Sequence, residues 1–346
     1  MTTATQTVLV GGPFYEDLEL GQVFDSSPGV TLTAGAAAVH QAVLGDRLRL
    51  ALDADLCDAV AGPGGQLAHP GLVCDIAIGQ STLVTGRVIA NLFYRGLALR
   101  RAPRLGDTLR TTTEVVALRD NSVKPGRAPT GLAALRIRTV DQHDRPVLDF
   151  HRCAMLPLRG DGQLPGHRDD LDLIAAELPG ELLAEAAAGL DLARYRELVP
   201  GGHGSSFEPG TRFVVECGET VGCAPELVRL TLNLAAAHSD PTSSGRGQRL
   251  VYGGHTIGVA FSQLTRALPN LVTVAGWRSC DHLAPVFEGD VLYSEITVEA
   301  LSPVAGTEGV LVELSVQTAA VREQDRDGDG ERVPVLDWRL VGVMAA

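Results

Sequence analysis

Paired cysteines are missing from this sequence. Its six, Cys57, Cys74, Cys153, Cys217, Cys223 and Cys280, form no CxxC pair and no Cys/His zinc spacing, so neither a metal knuckle nor a redox motif is indicated. Free buried thiols are expected instead. Long apolar runs are also missing: no stretch of eighteen apolar residues occurs, and the opening MTTATQTVLVGG lacks a basic start followed by an apolar core. The expectation is a soluble, cytoplasmic protein with no membrane partner. Positive charge is scarce, with 29 Lys and Arg against 42 Asp and Glu and a net charge of −13. That balance argues against a nucleic-acid groove, and any anionic ligand must be met by a local cluster of Arg.

What is present is a large apolar inventory. With 346 residues, 45% of them hydrophobic, the chain is long enough for two buried cores. Residues 14–24 alternate apolar and polar around a glycine, which suggests an edge strand, and the alanine-rich 34–44 reads as a helix stopped by Gly45-Asp46. Pro70-Gly71 opens a run with Leu72, Val73, Ile76, Ala77 and Leu83 at roughly helical spacing, the mark of a buried helix. From Gly106-Asp107 to Met155 the pattern changes to period two, in TLRTTTEVVAL and LAALRIRTV, as antiparallel strands require. Residues 160–205 carry turn residues, acidic runs and one short helical pattern, and read as a linker.

The first pattern then returns. Leu18-Glu19-Leu20-Gly21 is echoed by Phe207-Glu208-Pro209-Gly210. Gly71 and Gly106 are echoed by Gly254 and Gly289, with identical spacing (106 − 71 = 35; 289 − 254 = 35). Pro146-Val147-Leu148-Asp149-Phe150 becomes Pro334-Val335-Leu336-Asp337-Trp338. Two copies of one α+β unit follow, each an apolar helix wrapped by an antiparallel sheet.

The stretch Asn233–His255, NLAAAHSDPTSSGRGQRLVYGGH, is where chemistry is expected. A neutral His near water can act as a base, and glycine amides at a helix start can hold a developing oxyanion. Each signal also has a bland reading. A single His such as His238 is often structural, Gly253-Gly254 could serve close packing, and Asp240 before Pro241 is a turn former. Tyr252 and His255 flank the glycine pair and either line a pocket or pack. Arg249, Arg246, Arg95, Arg100, Arg101 and Arg104 are open to phosphate contacts or to plain solvation. Asp325-Arg326-Asp327-Gly328-Asp329-Gly330 mimics a calcium loop, but its twelfth position is Leu336 rather than Glu, so a hairpin turn is expected.

These residues carry a family likeness across nearly the whole chain, weakest in the linker. The unit resembles the hotdog fold, and the tandem resembles the MaoC-like double-hotdog enoyl-CoA hydratases. Within them, Ile89-Ala90-Asn91-Leu92-Phe93-Tyr94, Gly106-Asp107-Thr108-Leu109, Leu118-Arg119-Asp120-Asn121, Arg249–His255 and Pro334-Val335-Leu336-Asp337 are similar to the mesaconyl-CoA hydratases, also called β-methylmalyl-CoA dehydratases. The resemblance implies reversible syn addition of water to a short branched or dicarboxylic enoyl-CoA thioester, CoA being present only as part of the substrate and no cofactor or metal being used. It implies a homo-oligomer, an N-terminal hotdog at 12–160 that shapes the substrate, a linker at 161–199 and a catalytic hotdog at 200–346. By position, His238 matches the catalytic His, Asn233 stands where the family usually has a catalytic Asp, and Gly254 matches the glycine whose N–H holds the thioester oxygen. Asn cannot take a proton but can orient water. His282 matches a residue that recurs in mesaconyl-type members, and with Arg249 it is the visible donor for a distal carboxylate; Tyr252, Gly253 and His255 complete the expected substrate contacts. In the first copy the position five residues beyond Asp46 is Ala51, so one site per chain is expected. Alternatives are an itaconyl or simple enoyl-CoA hydratase, a non-catalytic acyl-CoA binder, or a thioesterase using Asp75.

Overall fold

The computed structural model describes residues 10–160, 162–174, 176–243, 247–322 and 332–346. The first unit runs through β1 (Val23–Phe24), β2 (Val30–Thr31), α1 (Ala34–Leu44), α2 (Arg49–Leu52), α3 (Ala54–Ala61) and α4 (Pro70–Gln80). Four long strands follow, β3 (Ala90–Leu99), β4 (Thr108–Asp120), β5 (Thr130–Val140) and β6 (Pro146–Pro157). After α5 (Gly180–Glu185) and α6 (Leu192–Leu198) the order recurs. It gives β7 (Arg212–Val214), β8 (Glu219–Thr220), α7 (Ala224–Leu230), α8 (Ala236–Ser239), α9 (Gly253–Ala267), β9 (Thr273–His282), β10 (Val291–Val304), β11 (Gly309–Val321) and β12 (Val333–Ala345).

The repeat is geometric as well as textual. Gly106 and Gly289 both hold left-handed backbone, φ +103° and +95°, in the turn before β4 and β10. Their N–H groups donate to Leu32 O (2.7 Å) and Val221 O (2.8 Å), and a side chain at such φ would be strained. Deeper in, Gln80 Nε2 donates to Leu109 O at 3.0 Å and Gln263 Nε2 to Leu292 O at 2.8 Å, both shifted by the same 183 residues (263 − 80; 292 − 109).

The strands form one antiparallel sheet of order β1-β4-β5-β6-β3-β9-β12-β11-β10-β7, with β2 on β4 and β8 on β10. Its centre is the β3/β9 pair, in which Tyr94 faces Cys280 and Ala98 faces Gly276. The central helices α4 and α9 pack beneath this sheet. Pro70 occupies the first position of α4, where no N–H is needed, and His69 caps the helix, its Nδ1 accepting from Gly71 N–H at 3.0 Å. Every residue of α4 except Gly71 is buried, as an all-round apolar helix requires.

Three expectations need adjustment. The edge strand at 14–24 shrinks to β1, preceded by a 3₁₀ turn at Tyr15–Asp17, because Tyr15 turns fully inward and its hydroxyl donates to Asp120 at 3.0 Å. The linker is a packed layer: Leu183, Ala187, Leu192, Tyr195 and Val199 are buried in a second core with Val272, Ala275, Val341 and Val343 of the sheet's outer face. All six cysteines are free, but Cys217 and Cys223 are exposed. Among the described residues no helix is long and apolar enough to cross a membrane.

Candidate active site

The loop that carries His238 is built on the first unit. After α7, Leu232 adopts φ +57° and the chain reverses. Leu234 N–H donates to Thr82 Oγ1 (2.9 Å) and Ala236 N–H to Gly86 O (3.1 Å), which pins the loop to the C-terminal end of α4. Asn233 is buried, and its Oδ1 accepts the Ala235 N–H at 2.9 Å, an Asx turn that launches the single turn α8. Asn233 thus holds the geometry of the loop that carries His238.

His238 sits on α8, half-buried. Its Nδ1 lies 3.0 Å from Leu250 O. A carbonyl can only accept, so Nδ1 carries the proton and Nε2 keeps its lone pair. Burial holds the ring's pKa below the usual imidazole value; the Leu250 hydrogen bond opposes this and the nearby Arg152 charge adds to it. At neutral pH the ring is an uncharged base.

A cavity of about 560 Å³ opens beside it, between the two units. From the second unit Asn233, His238, Tyr252, Gly253 and His282 contribute to its wall, and from the first Thr82, Thr85, Arg87 and Arg152. Gly253 is the first residue of α9, so its N–H has no partner four residues back. A side chain there would collide with His282, since a Cβ on Gly253 would lie 2.6 Å from Nε2 of that ring. His282 is partly buried with its Nε2 shielded from solvent, and this burial pushes its pKa down to about 4, with His238 contributing.

The structure separates Gly254 from this group. Gly254 faces a small apolar cavity of about 30 Å³ between α4 and α9, and a Cβ on it would lie 2.2 Å from Asp75 Oδ1 and 2.4 Å from the Tyr252 ring. The glycine that shares the wall with His238 is its neighbour, because one residue along a helix turns by about 100°. His255 also leaves the site: it is buried off the cavity wall, neither ring nitrogen has a protein partner, and burial lowers its pKa to about 4. Arg249 is paired with Glu288 at 2.7 Å and does not line the cavity. Asp240 is exposed and accepts from Thr242 N–H and Oγ1 at 2.8 and 2.7 Å, the turn-forming role. Asp75 approaches His40 Nε2 at 3.2 Å on the small cavity, away from His238.

The other arginines weighed from sequence are occupied structurally. Arg95 pairs with Asp281, Arg100 with Glu185 and Arg101 with Asp141, at 2.7, 2.6 and 3.0 Å, while Arg104 donates to the carbonyls of Ala61 and Gly62. Arg246 and the loop Asp325–Gly330 lie outside the described residues. Sequence reasoning missed Arg87 and Arg152, the two cations on the cavity wall. Neither belongs to a motif; the only available signal was that Arg152 interrupts an apolar strand.

One long antiparallel sheet, whose two halves each cover a central helix and meet at β3 and β9, defines a double hotdog. The chain superposes on a solved conserved hypothetical protein of Mycobacterium tuberculosis with a double hotdog fold, at TM-score 0.89 and 54% identity over 97% of this chain and 100% of that one. It also superposes on a putative MaoC domain dehydratase of Chloroflexus aurantiacus, at TM-score 0.84 and 26% identity over 98% and 99% of the two chains. In sequence it is 29% identical to the β-methylmalyl-CoA dehydratase of Chloroflexus aurantiacus, across 96% of this chain and 97% of that protein. No family model matches it. The chain is a double-hotdog protein, similar along nearly its whole length to MaoC-like dehydratases and hydratases.

Proposed function

We propose that the protein adds water reversibly across the double bond of a short branched or dicarboxylic enoyl-CoA thioester, of the mesaconyl-CoA/β-methylmalyl-CoA type. The observation that carries this reading is the neutral His238, its Nε2 lone pair free, on one cavity with the N-terminus of α9. In hydration, Nε2 takes a proton from water as the oxygen attacks C3. The electron pair of the double bond moves onto the thioester carbonyl, where the Gly253 N–H meets the developing charge, and the His238 imidazolium then returns the proton taken from water to C2, which regenerates the base. The step as written needs no metal or redox cofactor, and CoA enters only as part of the substrate. Arg87, at the wall on the first unit, is the cation best placed for the CoA phosphates.

The test is an assay of the purified protein against a panel of enoyl-CoA thioesters, following loss of the conjugated thioester absorbance. Mesaconyl-CoA is expected to be hydrated, and a panel with no hydration at all removes the reading in favour of a non-catalytic binder. An itaconyl-CoA or simple enoyl-CoA preference would move the substrate within the same class.

The pH profile has a definite sign. His238 is active when neutral and its pKa is lowered, so activity falls only as pH drops below the ordinary imidazole value near 6.5. An acidic limb of kcat/KM centred above 7 would contradict a desolvated base.

Asn233 is expected to act through α8. Asn233→Asp keeps an oxygen to accept the Ala235 N–H, so turnover should stay within about tenfold, whereas Asn233→Ala loses the turn and should cost more. Equal activity in both variants would show that the Asx turn does not position His238.

A further inference from the structure

The cavity wall is electropositive although the chain is strongly acidic. Among the described residues it holds Arg87, Arg152, His238 and His282, and no Asp or Glu. Arg152 is the unusual member. It lies on β6, 3% exposed, where it pairs across the sheet with Tyr94 and Leu135. Its Nη2 donates to Ser81 O at 3.1 Å and Thr85 Oγ1 at 2.7 Å, both uncharged acceptors at the end of α4. Among the described residues, Nε is buried with no hydrogen-bond partner and no carboxylate lines the cavity beside the guanidinium.

A guanidinium does not lose its proton in such a place, so the chain carries a buried, uncompensated positive charge. Such charges are retained where a counter-charge arrives, because an unpaired buried ion is strongly unfavourable. Among the described residues, two more polar atoms on the same wall lack protein partners: His282 Nε2 and Asn91 Oδ1. Together they outline a polar recess in a cavity whose wall also carries the apolar Ile78, Val88, Leu92 and Val286.

We infer that Arg152, steadied by Thr85 and Ser81, receives a carboxylate at the far end of the acyl group and selects dicarboxylic monothioesters over neutral acyl-CoAs. This role had been expected of Arg249 and His282; Arg249 is instead committed to Glu288, while His282 lies on the same wall. The inference rests on the acyl-CoA reading above. It assigns Arg152 to binding and specificity, while proton transfer stays with His238. A bidentate or charge-assisted contact in a dry recess is the arrangement that discriminates carboxylate from methyl most strongly.

The test uses the whole protein and two saturated thioesters that cannot be hydrated, succinyl-CoA and butyryl-CoA, which differ by carboxylate against methyl at the fourth carbon. Calorimetric titration of the unaltered protein should show succinyl-CoA binding at least about tenfold tighter. Arg152→Gln should abolish that preference, and Arg152→Lys should keep part of it. Thr85→Val, which removes one of the two anchors, should weaken it while leaving the charge in place, and it reads the same contact should Arg152→Gln fail to fold. Equal affinities in the unaltered protein, or a preference that survives Arg152→Gln, overturns the assignment. The turnover panel answers separately: with no enoyl-CoA hydrated the proposed chemistry falls, while the binding pair still decides the role of Arg152. If hydration proceeds and Arg152→Gln slows mesaconyl-CoA and its neutral methyl counterpart equally, the chemistry stands and the specificity assignment falls.

Discussion

Replacing His238 with Ala should lower kcat for hydration by about 10²–10⁴-fold, the usual effect of losing a general base, with little change in KM. The size follows from what the ring supplies. Leu250 O fixes the proton on Nδ1, burial keeps the imidazole neutral, and Nε2 is left as the lone pair that water can use. On the proposed reading, thioester binding draws on the recess around Arg152 and on Arg87, which the substitution leaves in place. Steady-state kinetics on any accepted thioester checks this. A variant that turns over at the unaltered rate would move the base elsewhere, and His282, neutral and on the same wall, becomes the residue to remove. Asp240 would not, because its carboxylate is committed to Thr242 on the exposed side of the loop.

The second large effect concerns stability. Gly79, near the end of α4, passes so close to the loop of the second unit that an added Cβ would lie 1.7 Å from the carbonyl oxygen of Thr231. Backbone cannot swing aside as a side chain can, so Gly79→Ala must push α4 away from α7. Overpacking of this kind typically costs about 1–3 kcal/mol, and a clash with main chain belongs at the upper end. Denaturant unfolding should show a lower midpoint with an unchanged slope. Turnover should fall as well, because the displaced strip, Thr231 to Ala236, is the one that aims His238. A variant as stable as the parent would mean that the two units can slide past each other at this point.

Much of this architecture was legible from residues alone, and the reasons are physical. The glycines at 106 and 289 announce themselves because the turn demands left-handed backbone, so their spacing survives where side chains have diverged. α4 could be read from an apolar run behind a proline, and β4 from alternation with one face against the helix, while β5 alternates only over its second half because Gly131 to Leu135 are all buried. The layer at 161–199 was less legible, since its helices are one or two turns long and too short to show a period. In the site, His238 was found by its place between a helix end and a glycine pair. The choice between Gly253 and Gly254 turned on a rotation about the α9 axis, which a dipeptide does not encode. Arg152 could not be found as a ligand-facing group because burial decides its role, and burial at that strand position depends on the helix packed beneath it.

The β3/β9 seam has one more consequence. Tyr94 pairs with Arg152 across the first half, and at the corresponding place in the second half Trp277 pairs with Leu340. Leu99, paired with Leu148, likewise stands where the second half has His282 opposite Leu336. Two separate identical subunits could not differ in this way, because each substitution would appear on both sides of the dyad. Joining the halves in one polypeptide lifts that constraint: one face has kept the imidazoles while the opposite face has placed the guanidinium. At the symmetry-related place the counterparts of Arg152 and His282 are Leu340 and Leu99, so on the proposed reading one thioester per chain is expected, with no second equivalent site within the chain for cooperativity to act on.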